Sequence, residues 1–210
     1  MQKFTTLEGV AAPLRMINID TDMIIPKQYL KTIKRTGLGK GLFSEKRFRD
    51  DGSENPDFVL NQPQFRAAGI LVTGHNFGAG SSRESAVWSM LANDIRVIVA
   101  QSFADIYREN CLQNGLLPVV LGPEDSASFA ARVVSAAGSA PFTVDLVDQR
   151  ISGPGGPDIA FEIAGPDRTR LLEGLDDIGL TLKHKDEILN WERDAAAFQP
   201  WLQTVHDSRR

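Results

Sequence analysis

The sequence predicts an α/β fold, and three observations carry that prediction. Between Ile70 and Leu121, short apolar runs rich in β-branched residues alternate with stretches of helical periodicity. The connections are brief and helical, which is the pattern of parallel βαβ units. Further on, two period-two runs flank a Gly/Pro-rich turn, and the C-terminal third reads as helix.

Taken in order, the region up to Leu60 is poor in helical periodicity and reads as a strand followed by a surface excursion. Residues 31–52 of that excursion are rich in Gly, Lys and Arg and are expected to form a mobile surface loop. Strand 70–74 then leads to helix 82–93, strand 95–100, helix 103–113 and strand 116–121. Ser102 and Asp105 can cap the second of these helices, and Gly115 suits its exit. A third helix is expected over 125–137. Runs 142–151 and 158–163 form a hairpin about Ser152-Gly153-Pro154-Gly155-Gly156-Pro157. Helices follow at 167–173, 176–184 and 186–197, with Trp191 and Phe198 read as packing residues and 201–210 as a frayed tail. The whole of 1–210 reads as one domain.

Composition narrows the functional classes. A chain of 210 residues with 42% hydrophobic and 24% charged residues can bury a substantial core. The net charge of −4 and the lack of long basic runs point away from nucleic acid. No stretch approaches the ~20 apolar residues of a membrane span, and Met1–Thr5 has no hydrophobic signal core, so a cytoplasmic protein is expected. The single cysteine, Cys111, excludes an internal disulfide and cannot alone hold an iron–sulfur cluster. Its helical setting reads as a small buried core residue.

The most informative segment is Gly78-Ala79-Gly80-Ser81-Ser82-Arg83-Glu84. Two glycines permit a tight turn and a close backbone approach, and a helix opens directly afterwards. Unpaired amides and the dipole at such a helix start favour an anion. Ser81 can cap the helix, with Glu84 completing a capping box. Arg83 adds a planar fork suited to carboxylate or phosphate. A dinucleotide fingerprint would need glycine where Arg83 stands, a Walker loop needs Gly-Lys-Ser/Thr, and a nucleophile elbow needs G-x-S-x-G. By spacing alone, an anion site and an ordinary capped helix both remain open.

The run also resembles the signature of the aconitase superfamily and, within it, of the small-subunit family of isopropylmalate dehydratases. Other segments agree in order and separation: Asn18–Pro26, Tyr29–Gly37, Asn55–Asn61, Ser102–Ile106, Asn114–Pro118 and Leu172–Leu182. The resemblance spans Phe4 to about Trp201. It implies an aconitase-type swivelling domain, layered β/β/α with a C-terminal helical segment. It implies a hydro-lyase that isomerises 2-isopropylmalate to 3-isopropylmalate through isopropylmaleate. Ser81 is then the base, Arg83 the carboxylate clamp, and Asp22 an acidic neighbour of the site. Ser82, Gly80, Leu30, Lys31 and Arg35 are the expected substrate contacts. The four-iron four-sulfur cluster belongs to a separate large subunit, so no cofactor is expected in this chain, which is inert without that partner. Ser85 stands where the family pattern usually has histidine, and Ala79 where cysteine is common. A related dehydratase for methylmalate or citramalate-type dicarboxylates, or a non-catalytic anion- or nucleotide-binding domain, therefore stays as an alternative.

Overall fold

The computed structural model describes residues 1–31, 37–80, 82–199 and 201. The strands are β1 (Thr6–Gly9), β2 (Ala11–Pro13), β3 (Ile70–Val72), β4 (Val97–Ala100), β5 (Leu117–Val120), β6 (Phe142–Asp145), β7 (Arg150–Ser152) and β8 (Ile159–Ala160). The helices are α1 (Thr21–Ile24), α2 (Ser44–Arg47), α3 (Glu84–Leu91), α4 (Asp105–Asn114), α5 (Pro123–Ala136), α6 (Gly165–Glu173), α7 (Asp177–Leu182) and α8 (Lys185–Phe198). They fall into two compact units, Met1–Gly174 and Leu175–Arg210.

In the first unit, β2-β3-β4-β5 form a parallel sheet in sequence order, and β1-β6-β7-β8 form an antiparallel one. β3 and β4 are buried throughout because both faces of the parallel sheet are covered. Pro13 and Pro118 sit in its two edge strands, where a missing N–H costs least. Alternation sorts the side chains. Ala12, Leu71 and Ile98 face Val87 and Met90 of α3 and Tyr107 and Cys111 of α4. Ile70, Val72, Val97 and Val99 face Phe129 and Val133 of α5 and the antiparallel sheet. This is the layered arrangement expected above.

Several elements depart from expectation. The run 142–151 is broken by a turn. Asp145 Oδ1 accepts from the Val147 and Asp148 amides (2.7 and 2.9 Å), and Gln149 adopts φ +52°, so β6 folds back on β7. The Gly/Pro turn joining β7 to β8 is held by the buried Arg132. Its guanidinium donates to the carbonyls of Gly153, Pro154 and Pro157 at 2.8, 2.9 and 2.6 Å. The described part of the surface excursion, 37–52, packs inward: Leu38, Leu42 and Phe43 are buried beside Ile24 and Ile25. Arg47 ties it down by donating to Asn61 Oδ1 and Asn93 Oδ1, both at 3.1 Å.

In the second unit, Asp176 caps α7 by accepting from the Gly179 amide (2.7 Å). Neither α7 nor α8 has a buried residue, and Trp191 and Phe198 are exposed rather than packed. Two short helices do not enclose a core of their own. Among the described residues, no helix is long and apolar enough to cross a membrane.

Candidate active site

The site is built where two loops run side by side above the parallel sheet. β3 leads into His75–Gly80, and β2 leads into Asn18–Asp22. The Asn18 amide donates to His75 O (3.0 Å), and the Gly78 and Ala79 amides both donate to Ile19 O (2.7 and 3.1 Å). The Thr21 amide donates back to Ala79 O (2.9 Å). Asn18 and Asn76, both in the left-handed region, are joined side chain to side chain at 2.9 Å. Gly78 also has positive φ, and its bare Cα lies against the buried ring of Tyr107.

The paired loops bring Asp22 and Arg83 together. Asp20 caps α1 by accepting from the Met23 amide (2.7 Å), which sets Asp22 in the first turn, pointing outward. Arg83 Nη1 donates to Asp22 Oδ1 in an ion pair. The pair forms one wall of an open cleft of about 530 Å³, which Lys27, Gln28, Glu45 and Lys46 also line. Lys27 and Lys46 form no ion pair among the described residues. The cleft thus sets a planar guanidinium and two ammonium groups, the cations that bind carboxylates, among the carboxylates of Asp20, Asp22 and Glu45.

Of the residues singled out from the sequence, Arg83 and Asp22 meet. Gly80 is exposed at φ +93°, and Ser82 is exposed next to Arg83. Leu30 is half-buried and packs on the core, and is not among the residues lining the cleft. Lys31 closes a 3-10 turn that begins at Lys27. Ser81 and Arg35 lie outside the described residues. The expected helix 82–93 starts two residues late. Arg83 is extended (φ −75°, ψ 102°) and occupies the cap position without a side-chain cap bond, so α3 begins at Glu84. Likewise α4 begins at Asp105 behind Ala104, while Ser102 Oγ accepts from the Asn76 amide (2.8 Å). Gly115 does terminate α4 in the left-handed conformation.

Lys27 and Gln28 were not anticipated, and Glu45 and Lys46 fall within the 31–52 loop without having been singled out. Their signal is tertiary: the 3-10 turn at Lys27 and the helix at Ser44 converge on α1, and neither carries a motif. Cys111 is fully buried, and burial pushes its thiol far above the usual range, so it is a core residue and no thiolate ligand. Among the described residues, no group of three or more His, Cys, Asp or Glu side chains converges to hold a metal ion.

Comparison with known proteins identifies the family. Residues 1–124 match the family model of the aconitase C-terminal domain, and residues 177–205 match that of the C-terminal domain of the 3-isopropylmalate dehydratase small subunit. The 3-isopropylmalate dehydratase small subunits of Azorhizobium caulinodans and Xanthobacter autotrophicus are each 58% identical over 203 residues, spanning 96% of this chain and 100% of those proteins. That of Rhodospirillum rubrum is 57% identical over 202 residues, with 96% and 97% covered. The crystal structure of 3-isopropylmalate dehydratase from Methanocaldococcus jannaschii shares the fold, with a TM-score of 0.62 at 24% identity, covering 89% of this chain and 99% of that one. With a family model over more than half its length and near full-length relatives of this identity, the chain belongs to the 3-isopropylmalate dehydratase small-subunit family of the aconitase superfamily.

Proposed function

We propose that this chain supplies half of the active site of a hydro-lyase acting in leucine biosynthesis. The reaction removes water from 2-isopropylmalate to give isopropylmaleate and returns it at the neighbouring carbon to give 3-isopropylmalate. The observation that carries this reading is the Arg83–Asp22 pair on the wall of a cleft that also presents Lys27 and Lys46.

Arg83 binds one substrate carboxylate through its guanidinium fork, with Asp22 holding the fork in orientation. Lys27 and Lys46 favour the second carboxylate. Ser81 accepts the carbon-bound proton. A serine alkoxide is too basic to persist in water, and fixed amide donors beside a guanidinium lower its cost without solvent reorganisation. Gly80 and Ser82, next to Arg83, are the further proposed substrate contacts, and selection of the substrate side chain is assigned to Leu30, Lys31 and Arg35 on the family resemblance. The methylmalate alternative is less well supported, because relatives 57–58% identical over nearly the whole chain bear the isopropylmalate name.

The departing hydroxyl needs a Lewis acid, and this chain's one buried cysteine does not fit an iron–sulfur cluster, which takes about three or four thiolates. We assign that group to a large subunit. A cytoplasmic site of action goes with this reading.

The test is reconstitution. The purified chain should show no turnover of 2-isopropylmalate alone and should turn it over when mixed with the cluster-bearing large subunit. Ser81→Ala in that complex should lower kcat by ~10²-fold or more, the usual scale for losing a general base. Retention of about a tenth of the wild-type rate or more removes Ser81 from that role. Turnover by the isolated chain would overturn the division between subunits.

A further inference from the structure

The segment carrying Arg83 is also held by α4. Asn114, the last residue of α4, donates from Nδ2 to Glu84 Oε1 and to Asn110 O, both at 2.8 Å. Its Oδ1 accepts from Trp88 Nε1 at 2.9 Å. A primary amide has two donors and an acceptor, and these three bonds engage all of them. Asn110, one turn back on the same helix face, places Nδ2 3.5 Å from the Ser82 carbonyl. α4 therefore grips both residues that flank Arg83 in sequence, while Asp22 holds its guanidinium.

We infer that Asn114 is a positioning residue for the proposed reaction. It has no place in the cleft. By fixing Glu84 and Trp88, the first and fifth residues of α3, it sets where the helix begins and hence the direction in which Arg83 leaves it. No other side chain of similar size serves both contacts. Leucine at this position would take away the acceptor for the Trp88 N–H and a donor to the Glu84 carboxylate, and aspartate would accept from Trp88 while opposing Glu84 with a like charge. The inference rests on the reading of Arg83 as the carboxylate clamp, so its test has an arm that does not depend on turnover.

The experiment compares Asn114→Asp, Glu84→Gln and the double variant in the full-length chain. In the first arm, ¹⁵N-labelled isolated chain is examined by NMR, with the Trp88 indole and Arg83 Nε resonances identified by their loss in Trp88→Phe and Arg83→Lys. Asn114→Asp should move both resonances. The double variant should return both, because the amide introduced at position 84 can then donate to the carboxylate introduced at position 114. In the second arm, with the large subunit present, Asn114→Asp should raise KM for 2-isopropylmalate about tenfold or more, with a smaller effect on kcat, as expected for a misplaced binding group. The double variant should recover KM to within about threefold of wild type.

An unmoved Arg83 resonance overturns the inference whether or not the complex turns over. So does a KM unchanged by Asn114→Asp, or one that Glu84→Gln fails to rescue. Arg83 and Trp88 resonances that respond as expected in the isolated chain, with no isopropylmalate turnover in the complex, sustain Asn114 as the positioning residue and reject the proposed substrate. Should Asn114→Asp not fold, Asn114→Ser takes its place, with the same resonance shifts and KM rise expected.

Discussion

Gly78 and Tyr107 stand so close that a Cβ on the glycine would lie 2.1 Å from the tyrosine Cγ. Gly80, two residues on, has a similar positive φ of +93°, yet its nearest neighbour, Asp20 Cβ, would be 3.6 Å away. The two glycines of one motif are therefore required for different reasons. Gly78→Ala meets both backbone strain and overpacking and should cost about 2–5 kcal/mol, whereas Gly80→Ala meets strain alone, about 1–2 kcal/mol. Thermal melts of the isolated chain check this, at roughly 2–4 °C per kcal/mol for a chain of this size. Equal losses in the two variants would remove Tyr107 from the explanation.

Asp22→Asn should separate activity from stability. The Asp22 side chain is 59% exposed, and a pair this open adds at most about 1 kcal/mol to folding. Its effect on Arg83 orientation should be larger, lowering kcat/KM of the reconstituted complex about tenfold or more. The measurement pairs a melting curve with steady-state kinetics. An unchanged kcat/KM would show that Arg83 orients itself.

Lys27→Met together with Lys46→Met should raise KM for 2-isopropylmalate while leaving kcat within about threefold, since distant charges bind ground and transition states alike. The rise should shrink at high ionic strength, where exposed charges are screened beyond about 10 Å at 0.1 M salt. A KM insensitive to the double substitution assigns the second carboxylate to the large subunit.

Asp145 supplies a pH-dependent element of stability. The Asp148 amide foremost, with the Thr6 hydroxyl and the Val147 amide, holds its carboxyl below the usual carboxylate range against a desolvation that opposes this. A lowered folded-state value means that the stabilisation is complete above the unfolded value of about 4 and fades as pH falls through the folded one. Asp145→Asn should therefore melt lower than wild type at neutral pH, and the gap should close below about pH 4. A gap that persists at acid pH would assign the effect to shape rather than charge.

The parts of the fold that the sequence announces are those whose cause is local. Gly115 ends α4 because only a residue tolerant of positive φ fits there, and the alternating strands and helices of 70–121 are set by periodicity. The turn after Asp145 escapes notice because Leu146-Val147-Asp148-Gln149 has neither Gly nor Pro, and Gln149 takes the strained conformation. Leu38, Leu42 and Phe43 are hidden by basic and glycine neighbours that suggest a surface loop. Arg83 and Asp22 were legible as separate motif residues, but their pairing is not, since 61 positions of chain must fold back before they touch. Lys27 and Lys46 lack any local signature, and Asn114, although it opens the Asn114–Pro118 run, carries no sign of its contacts with Glu84 and Trp88, so only tertiary packing reveals these placements.

The stitching of Asn18–Asp22 to His75–Gly80 has an evolutionary consequence. Its principal bonds, from the amides of Asn18, Gly78, Ala79 and Thr21, run from backbone to backbone. Such a seam is indifferent to most side-chain identities and intolerant of any change in length. Substitutions at positions such as Ala79 can accumulate in descendants without moving the site. A one-residue insertion or deletion in either loop would shift every rung and part Asp22 from Arg83, so lineages of this enzyme are expected to drift in letters here and never in spacing.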